Sequence, residues 1–338
     1  MTGEQRVMGA LARQPIDRVP TFEWEISRSL IEKIVPGAGT IQFIEKMDID
    51  GIVVHVKYNK EQIDEKTYRD EWGIIRTRTA EELDIPSGGP VMTAEDLEAY
   101  RLPDPYALYR MDNAKKALEQ FKGKRAVILH LNDVFSLPSR IMPFDEFLMA
   151  IYDDPDLVKK LISLTVDYNI TIAQQAWKAG IRIVMTGDDV CYSNGPMFSA
   201  EHFRELFFPY YMKVMTAYKD IGFMVIKHCD GNVLPIIDML TAPPIDCFDP
   251  MDPSAGMQLS WFKKNYGGRL CLKGNVDCAQ TLTFGSVDDT VQETKSCLHT
   301  GMPGFGYICS SSNSLHSKVK PENYQAMIDT IHTYGVYK

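Results

Sequence analysis

Phe223-Met224-Val225-Ile226-Lys227-His228-Cys229-Asp230-Gly231-Asn232-Val233 is an apolar run that stops in a histidine, a carboxylate and a glycine turn. A short run of this kind, apolar on both faces, reads as a buried parallel strand whose end is marked by Gly231. In an extended chain residues two apart share a face, so His228 and Asp230 can converge on one point while Cys229 points away. An imidazole and a carboxylate so placed suit a divalent metal or an acid–base pair. An isolated His-x-Asp also serves as a hydrogen bond that fixes a turn, so what the other strand ends carry decides between these roles.

Seven further runs read as strands: 21–25, 51–56, 126–131, 181–186, 245–249, 270–273 and 306–309. Helical patterns separate most of them. Segments 155–177, 200–218 and 287–299 repeat apolar residues at helical spacing, with Asp156, Ser199 and Ser286 as N-cap candidates. Asp154 and Glu201 add the negative charge that a helix start favours. Val7, Met8, Leu11 and Ala12 give the first fifteen residues the same spacing, closed by Pro15. Eight strand–helix units in 338 residues predict the α/β class and a closed (β/α)8 TIM barrel, one domain over residues 1–338. The runner-up, a doubly wound open sheet, would carry Gly-x-Gly-x-x-Gly after a strand, and none occurs. Segment 61–101 interrupts the alternation. Its residues 67–78 alternate about Gly73, which predicts a small hairpin inserted after the second strand as a rim or lid.

Composition narrows the function classes. The net charge is −9 with no Lys/Arg block, which argues against nucleic acid and anionic membranes as partners. No apolar run approaches the roughly 18 residues of a membrane span, and the N-terminus lacks a signal-peptide core. Seven cysteines, odd in number and without a Cys-x-x-Cys pair, predict free thiols in a reducing cytoplasm.

A barrel gathers its site at the C-terminal strand ends. In chain order those ends supply Glu23, Trp24 and Glu25; His55; His130, Asn132 and Asp133; Asp188 and Asp189; His228 and Asp230; Asp249 and Met251; Asn275 and Asp277; and Cys309, Ser311 and Asn313. Loops are polar in any protein, and Asp133 or Asp277 can serve as a cap or turn former. Three of the seven histidines at one barrel mouth nevertheless mark a site.

Several stretches together resemble the uroporphyrinogen decarboxylase superfamily over nearly the whole chain: Asp17-Arg18-Val19-Pro20, Gly187-Asp188-Asp189, Phe198-Ser199-Ala200-Glu201-His202-Phe203, Phe208-Pro209-Tyr210, His228-Cys229-Asp230-Gly231-Asn232, Gly274-Asn275-Val276-Asp277 and Pro321-Glu322-Asn323. The resemblance implies the same barrel. True decarboxylases of the family carry an arginine-rich segment after the first strand, where this chain has Glu23-Trp24-Glu25-Ile26-Ser27-Arg28. Two carboxylates there would repel a polyacidic porphyrinogen. The other branch holds corrinoid-dependent methyltransferases, whose zinc motif is His-x-Cys plus a later cysteine. Here Asp230 stands in place of the first cysteine, Asn313 falls at the second, and Cys309 lies four residues earlier.

A histidine–carboxylate set makes a harder, more Lewis-acidic metal than thiolates do, which suits cleavage of a methyl ether. The resemblance therefore implies an O-demethylase type of methyltransferase, moving a methyl group from a small O-methyl or N-methyl compound to the cobalamin of a separate corrinoid protein. Its implied metal ligands for zinc are His228, Asp230 and Cys309, and its implied catalytic groups are His228, Asp230, Asp189 and Glu25. Trp24, His55, His130, Asn132, Phe135, Tyr192, Asn275, Asp277 and Asn313 would line the substrate pocket. A homodimer stays open. The rival enzyme is a decarboxylase of a small carboxylic acid, which needs cations such as Arg28, Lys57 or Lys273 facing the substrate. A barrel that only binds a ligand or a corrinoid protein is the rival without catalysis.

Overall fold

In the computed structural model, which describes residues 1–79, 81 and 84–338, the apolar runs pair edge to edge into a curled parallel sheet of seven strands. The chain forms β1 (Gly51–His55), then an antiparallel group β2 (Lys60–Gln62), β3 (Thr67–Asp70), β4 (Ile75–Thr77) and β5 (Ile85–Gly88). It continues through β6 (Ala126–Leu131), β7 (Ile183–Gly187), the short ribbon β8 (Cys191–Tyr192) and β9 (Gly195–Pro196), β10 (Met224–His228), β11 (Cys247–Asp249), β12 (Cys271–Val276) and β13 (Tyr307–Ser311). The seven-stranded sheet has the order β1-β6-β7-β10-β11-β12-β13, that is, chain order with the antiparallel group and the ribbon left out. The strands are buried on both faces, which is why their sequences read as continuous apolar runs.

Register does the rest. Parallel pairing sets His55 beside His130, and His228 beside both Gly187 and Asp249. The last residues of neighbouring strands are thereby brought to one level at the C-terminal end of the sheet, where their side chains can meet.

Segment 21–25, expected as a strand, makes no ladder. Pro20 has no N–H to give, although its carbonyl accepts from Cys309 N–H at 3.1 Å. The Ser311 N–H donates to the Glu23 carboxylate, at 3.2 Å, and the Ser311 hydroxyl donates to the same group at 2.5 Å. On the other side the Thr21 carbonyl accepts from Asp50 N–H at 2.9 Å, just before β1. A side chain has taken the place of a backbone partner, so the segment lies against both edge strands without strand geometry.

The long helix Pro155–Ala179 is capped by Asp154, whose carboxylate accepts from Leu157 N–H at 3.1 Å, and not by the expected Asp156. Pro155 fits the first helical position because its N–H would be unpaired there anyway, which moves the cap one residue upstream. Ser199 and Ser286 cap as expected. Segment 200–218 is not one regular helix. Phe203–Phe207 widens into a π-turn before the helix Phe208–Ile221, next to Pro209, which cannot donate back into the preceding turn. Between β1 and β6 the expected small hairpin is a four-stranded antiparallel sheet, β2 to β5. Part of the 61–101 segment assigned to it, residues 80, 82 and 83, lies outside the described residues. Among the described residues no helix is long and apolar enough to cross a membrane, and all seven cysteines are free and buried.

A buried ion pair ties β10 to the loop after β6. Lys227 Nζ lies 2.6 Å from Asp133 Oδ2, both side chains about 1% exposed. The adjacent Asp188 carboxylate accepts from the backbone N–H groups of Val134, Phe135 and Ser136. Removing Lys227 leaves two carboxylates close together in a dry interior. Lys227→Met is expected to cost about 3–5 kcal/mol in chemical denaturation, and Lys227→Met/Asp133→Asn to recover part of that. A loss near zero for the single variant would contradict the pairing.

Candidate metal centre and adjoining pocket

His228, the last residue of β10, is 7% exposed and held from behind. Its Nδ1 lies 2.5 Å from Asp249 Oδ2, and the other Asp249 oxygen lies 2.7 Å from Lys273 Nζ. An ionised carboxylate only accepts, so the proton sits on Nδ1 and Nε2 is left to face the sheet mouth. On that side Asp189 Oδ1 and Asp230 Oδ1 each lie 3.6 Å from Nε2. The three potential ligand atoms lie within 4.8 Å of one another.

The two carboxylates are positioned by local structure. Asp189 Oδ1 accepts the Asp230 backbone N–H at 3.1 Å, and Asp230 Oδ2 accepts from the Asn313 amide at 2.9 Å. Gly231, at φ +81°, lets the loop approach the Tyr192 carbonyl, which a Cβ would meet at 2.7 Å. Asp230 Oδ1 is buried with no hydrogen-bond partner. Desolvation by the surrounding protein, then repulsion by Asp230, raise the pKa of Asp189, although half of its side chain reaches solvent. Burial alone would lower that of His228, but Asp230 and Asp249 outweigh it and raise the value well above that of a free imidazole. For Asp249 burial acts upward and is overcome by Lys273 and His228, so its carboxyl is held below the usual range.

A second constellation adjoins the first. Glu25 Oε1 bonds His55 Nε2, and His55 Nδ1 lies 3.1 Å from His130 Nδ1. With Glu25 accepting, His55 donates from Nε2 and accepts at Nδ1 from His130, which leaves His130 Nε2 unprotonated. That atom is buried without a partner. Burial, then the neighbouring His55, lower the His130 pKa well below the ordinary value. Trp24 bridges the two groups, with ring centroids 4.8 Å from His130 and 4.4 Å from His228. It has room because residue 187 is glycine: a Cβ there would lie 2.3 Å from the indole. Next to His55 and His130 a cavity of ≈ 330 Å³ opens, also bordered by Asn132 and Trp72.

Other expected residues lie elsewhere. Phe135 packs in a buried aromatic cluster with Phe144, Phe147, Phe198 and Phe207, where its flat faces are already covered. Asn275 lies inside β12, and its amide donates to the Met251 carbonyl at 2.8 Å. Asp277 Oδ1 accepts from Gln280 N–H at 2.9 Å, a turn-forming bond. Tyr192 is exposed. Cys309 is fully buried within β13 and outside the ligand cluster, and burial pushes its thiol pKa up, which disfavours the thiolate a metal needs. The roles of Asp249 and Lys273 were not assigned from the sequence; the signal that could have found them is the alignment of His228 with Asp249 across β10 and β11.

A sequence model of the family described as uroporphyrinogen decarboxylase (URO-D) matches residues 81–334. The uroporphyrinogen decarboxylase of Alkalilimnicola ehrlichii is 21% identical, covering 97% of this chain and 93% of its own. That of Idiomarina loihiensis is 22% identical, covering 98% and 96%. Among solved structures, a methyltransferase from Methanosarcina mazei superposes with a TM-score of 0.76 at 18% identity, over 99% of each chain. A B12-independent methionine synthase from Shewanella gives 0.52 at 9% identity, over 87% of this chain and 83% of its own. At such identities the likeness to these structures shows the fold alone.

The raised pKa of His228 sets a pH dependence for the metal-free protein. A group whose pKa is higher folded than unfolded stabilises fully below its unfolded value, about 6.5 for histidine, and less as pH climbs through the folded value. Metal-free wild type should therefore lose more thermal stability between pH 6.5 and 9 than His228→Gln does. Equal slopes for the two would contradict the pairing of His228 with Asp230 and Asp249.

Proposed function

The chain belongs to the uroporphyrinogen decarboxylase family, and from that premise we propose that it is a cytoplasmic methyltransferase of the O-demethylase type. It takes a methyl group from a small methyl ether, and the acceptor is the cobalamin of a separate corrinoid protein. In this reading segment 21–25 stands as the eighth stave of a (β/α)8 barrel over residues 1–338, and the described residues of segment 61–101 decorate its rim.

The observation that carries the proposal is the meeting of Asp189, His228 and Asp230, with Asp230 Oδ1 buried and unpartnered beside His228 Nε2. A buried carboxylate oxygen is costly unless a cation completes it; in the metal-free protein the charged His228 ring faces it at 3.6 Å, and a metal would take the place of that proton. One neutral nitrogen and two carboxylates are donors that zinc accepts, so the residues fit the metal. Zinc held there would supply Lewis acidity that polarises the ether oxygen. Asp249 and Lys273 hold the His228 ring and fix its tautomer. The line Glu25–His55–His130 leaves His130 Nε2 unprotonated and free to accept a proton, with Glu25 as counter-charge. Trp24 covers both groups and keeps water from them. Of the cations named for the decarboxylase, Lys57 is paired with Asp112 and Lys273 with Asp249.

Elemental analysis after zinc loading should find about one zinc per chain, absent in His228→Ala. Asp249→Asn should weaken zinc about 10- to 100-fold, as loss of a carboxylate behind a ligating histidine does. Loaded wild type should convert cob(I)alamin to methylcobalamin, followed by its visible spectrum, when given methyl ethers. No zinc in wild type, and no methylcobalamin with any ether, would overturn the proposal.

A further inference from the structure

The cavity beside His55 and His130 holds polar atoms that the chemistry above leaves unused. Arg140 comes from the short helix Pro138–Ile141 and lines this cavity. Among the described residues its guanidinium has no ion pair and no hydrogen bond. Of the carboxylates whose charge reaches it, Asp188 accepts from the Phe135 N–H and Asp189 from the Asp230 N–H. Asp70 is paired with Arg76 at 2.6 Å and accepts from the N–H groups of Trp72 and Ile74. Asp84 accepts from the Tyr68 hydroxyl at 2.5 Å and faces Lys60 at 3.7 Å. In the same wall Asn169, 3% exposed, has its Nδ2 donor buried without an acceptor.

The buried Asn169 donor without an acceptor carries a desolvation cost that an anion would relieve, and the half-buried Arg140 guanidinium beside the same cavity offers that anion a positive charge. Burial, and then the like charge of Arg76, press on Arg140 and sharpen that need. Part of the remaining wall is aromatic: Trp72 is 4% exposed, and its ring centroid lies 5.7 Å from that of Tyr58. A planar fork of donors matches the two oxygens of a carboxylate, and flat rings match a flat substituent. His55 and His130 border the cavity, and Trp24 links His130 to His228.

We propose that this cavity binds the carboxylate of the methyl donor through Arg140 and Asn169, so that the substrate is a small aromatic acid carrying a methyl ether. The acid end lies between Tyr58, Trp72 and Arg140, and the ether end reaches past His130 toward Asp189 and Asp230. The naming of a methyl ether rests on the methyltransferase reading; the carboxylate site does not.

The test is calorimetric binding of benzoate and of benzamide, its neutral counterpart, to the full-length protein. Wild type should bind benzoate more tightly. Arg140→Met should weaken benzoate on the order of 10- to 100-fold, as loss of a charged bidentate contact does, and leave benzamide unchanged. Arg140→Lys, which keeps charge without the fork, should fall between. A zinc content equal to that of wild type shows that the variants keep the neighbouring site intact. Benzoate binding that is absent in wild type, or equal in Arg140→Met, overturns the proposal. If benzoate binds as described but methoxybenzoates give no methylcobalamin, the carboxylate site stands and the methyltransferase reading falls. If neutral and acidic methyl ethers are demethylated equally well, the carboxylate site falls and methyl transfer stands.

Discussion

Asp249 is buried behind His228, and it decides which imidazole nitrogen faces the open end of the sheet. A carboxylate with both oxygens in a dry interior needs cations or donors around it, and Lys273 and His228 supply them. The ring is thereby fixed in place and in tautomer before any ligand arrives. Asp189 and Asp230 then meet the one nitrogen that is left. Were the carboxylate missing, His228 could flip or take its proton on the other nitrogen, and the cluster would lose its neutral donor.

The same strand carries a second anchoring pair on its opposite side. Lys227 and His228 are consecutive, so they point apart, one to Asp133 and the other to Asp249. β10 is thus held by ion pairs to both sides within two residues of its end, where a parallel sheet would otherwise fray into loops. Gly187 on the neighbouring strand has the complementary task of leaving space. Trp24 fills that space and joins the histidine pair His55–His130 to the His228 cluster. Rigid strand ends, a wedged indole and fixed tautomers together make a preorganised mouth.

Much of this was legible in the sequence, and the exceptions share a cause. The apolar runs marked all seven strands of the parallel sheet, because burial on both faces leaves no alternative composition. The two-residue spacing of His228 and Asp230 gave their common side. Asp249 and Lys273 escaped because their task depends on register between strands, which spacing along one strand cannot report. Segment 21–25 reads as a strand, yet Glu23 takes a backbone partner that a strand would have used. Phe135 follows a strand end but packs into an aromatic cluster, and Cys309 is fully buried within β13; position in the chain gave neither environment. Arg140 lies on a connecting helix, outside the strand-end inventory altogether.

The account turns on a nitrogen–oxygen metal site built from one histidine and two carboxylates. X-ray absorption at the zinc edge of the loaded protein examines that set directly. The account predicts a first shell of light atoms at about 2.0–2.2 Å with a single imidazole contribution and no sulfur. A sulfur scatterer at about 2.3 Å would place a cysteine such as Cys309 on the metal and contradict it.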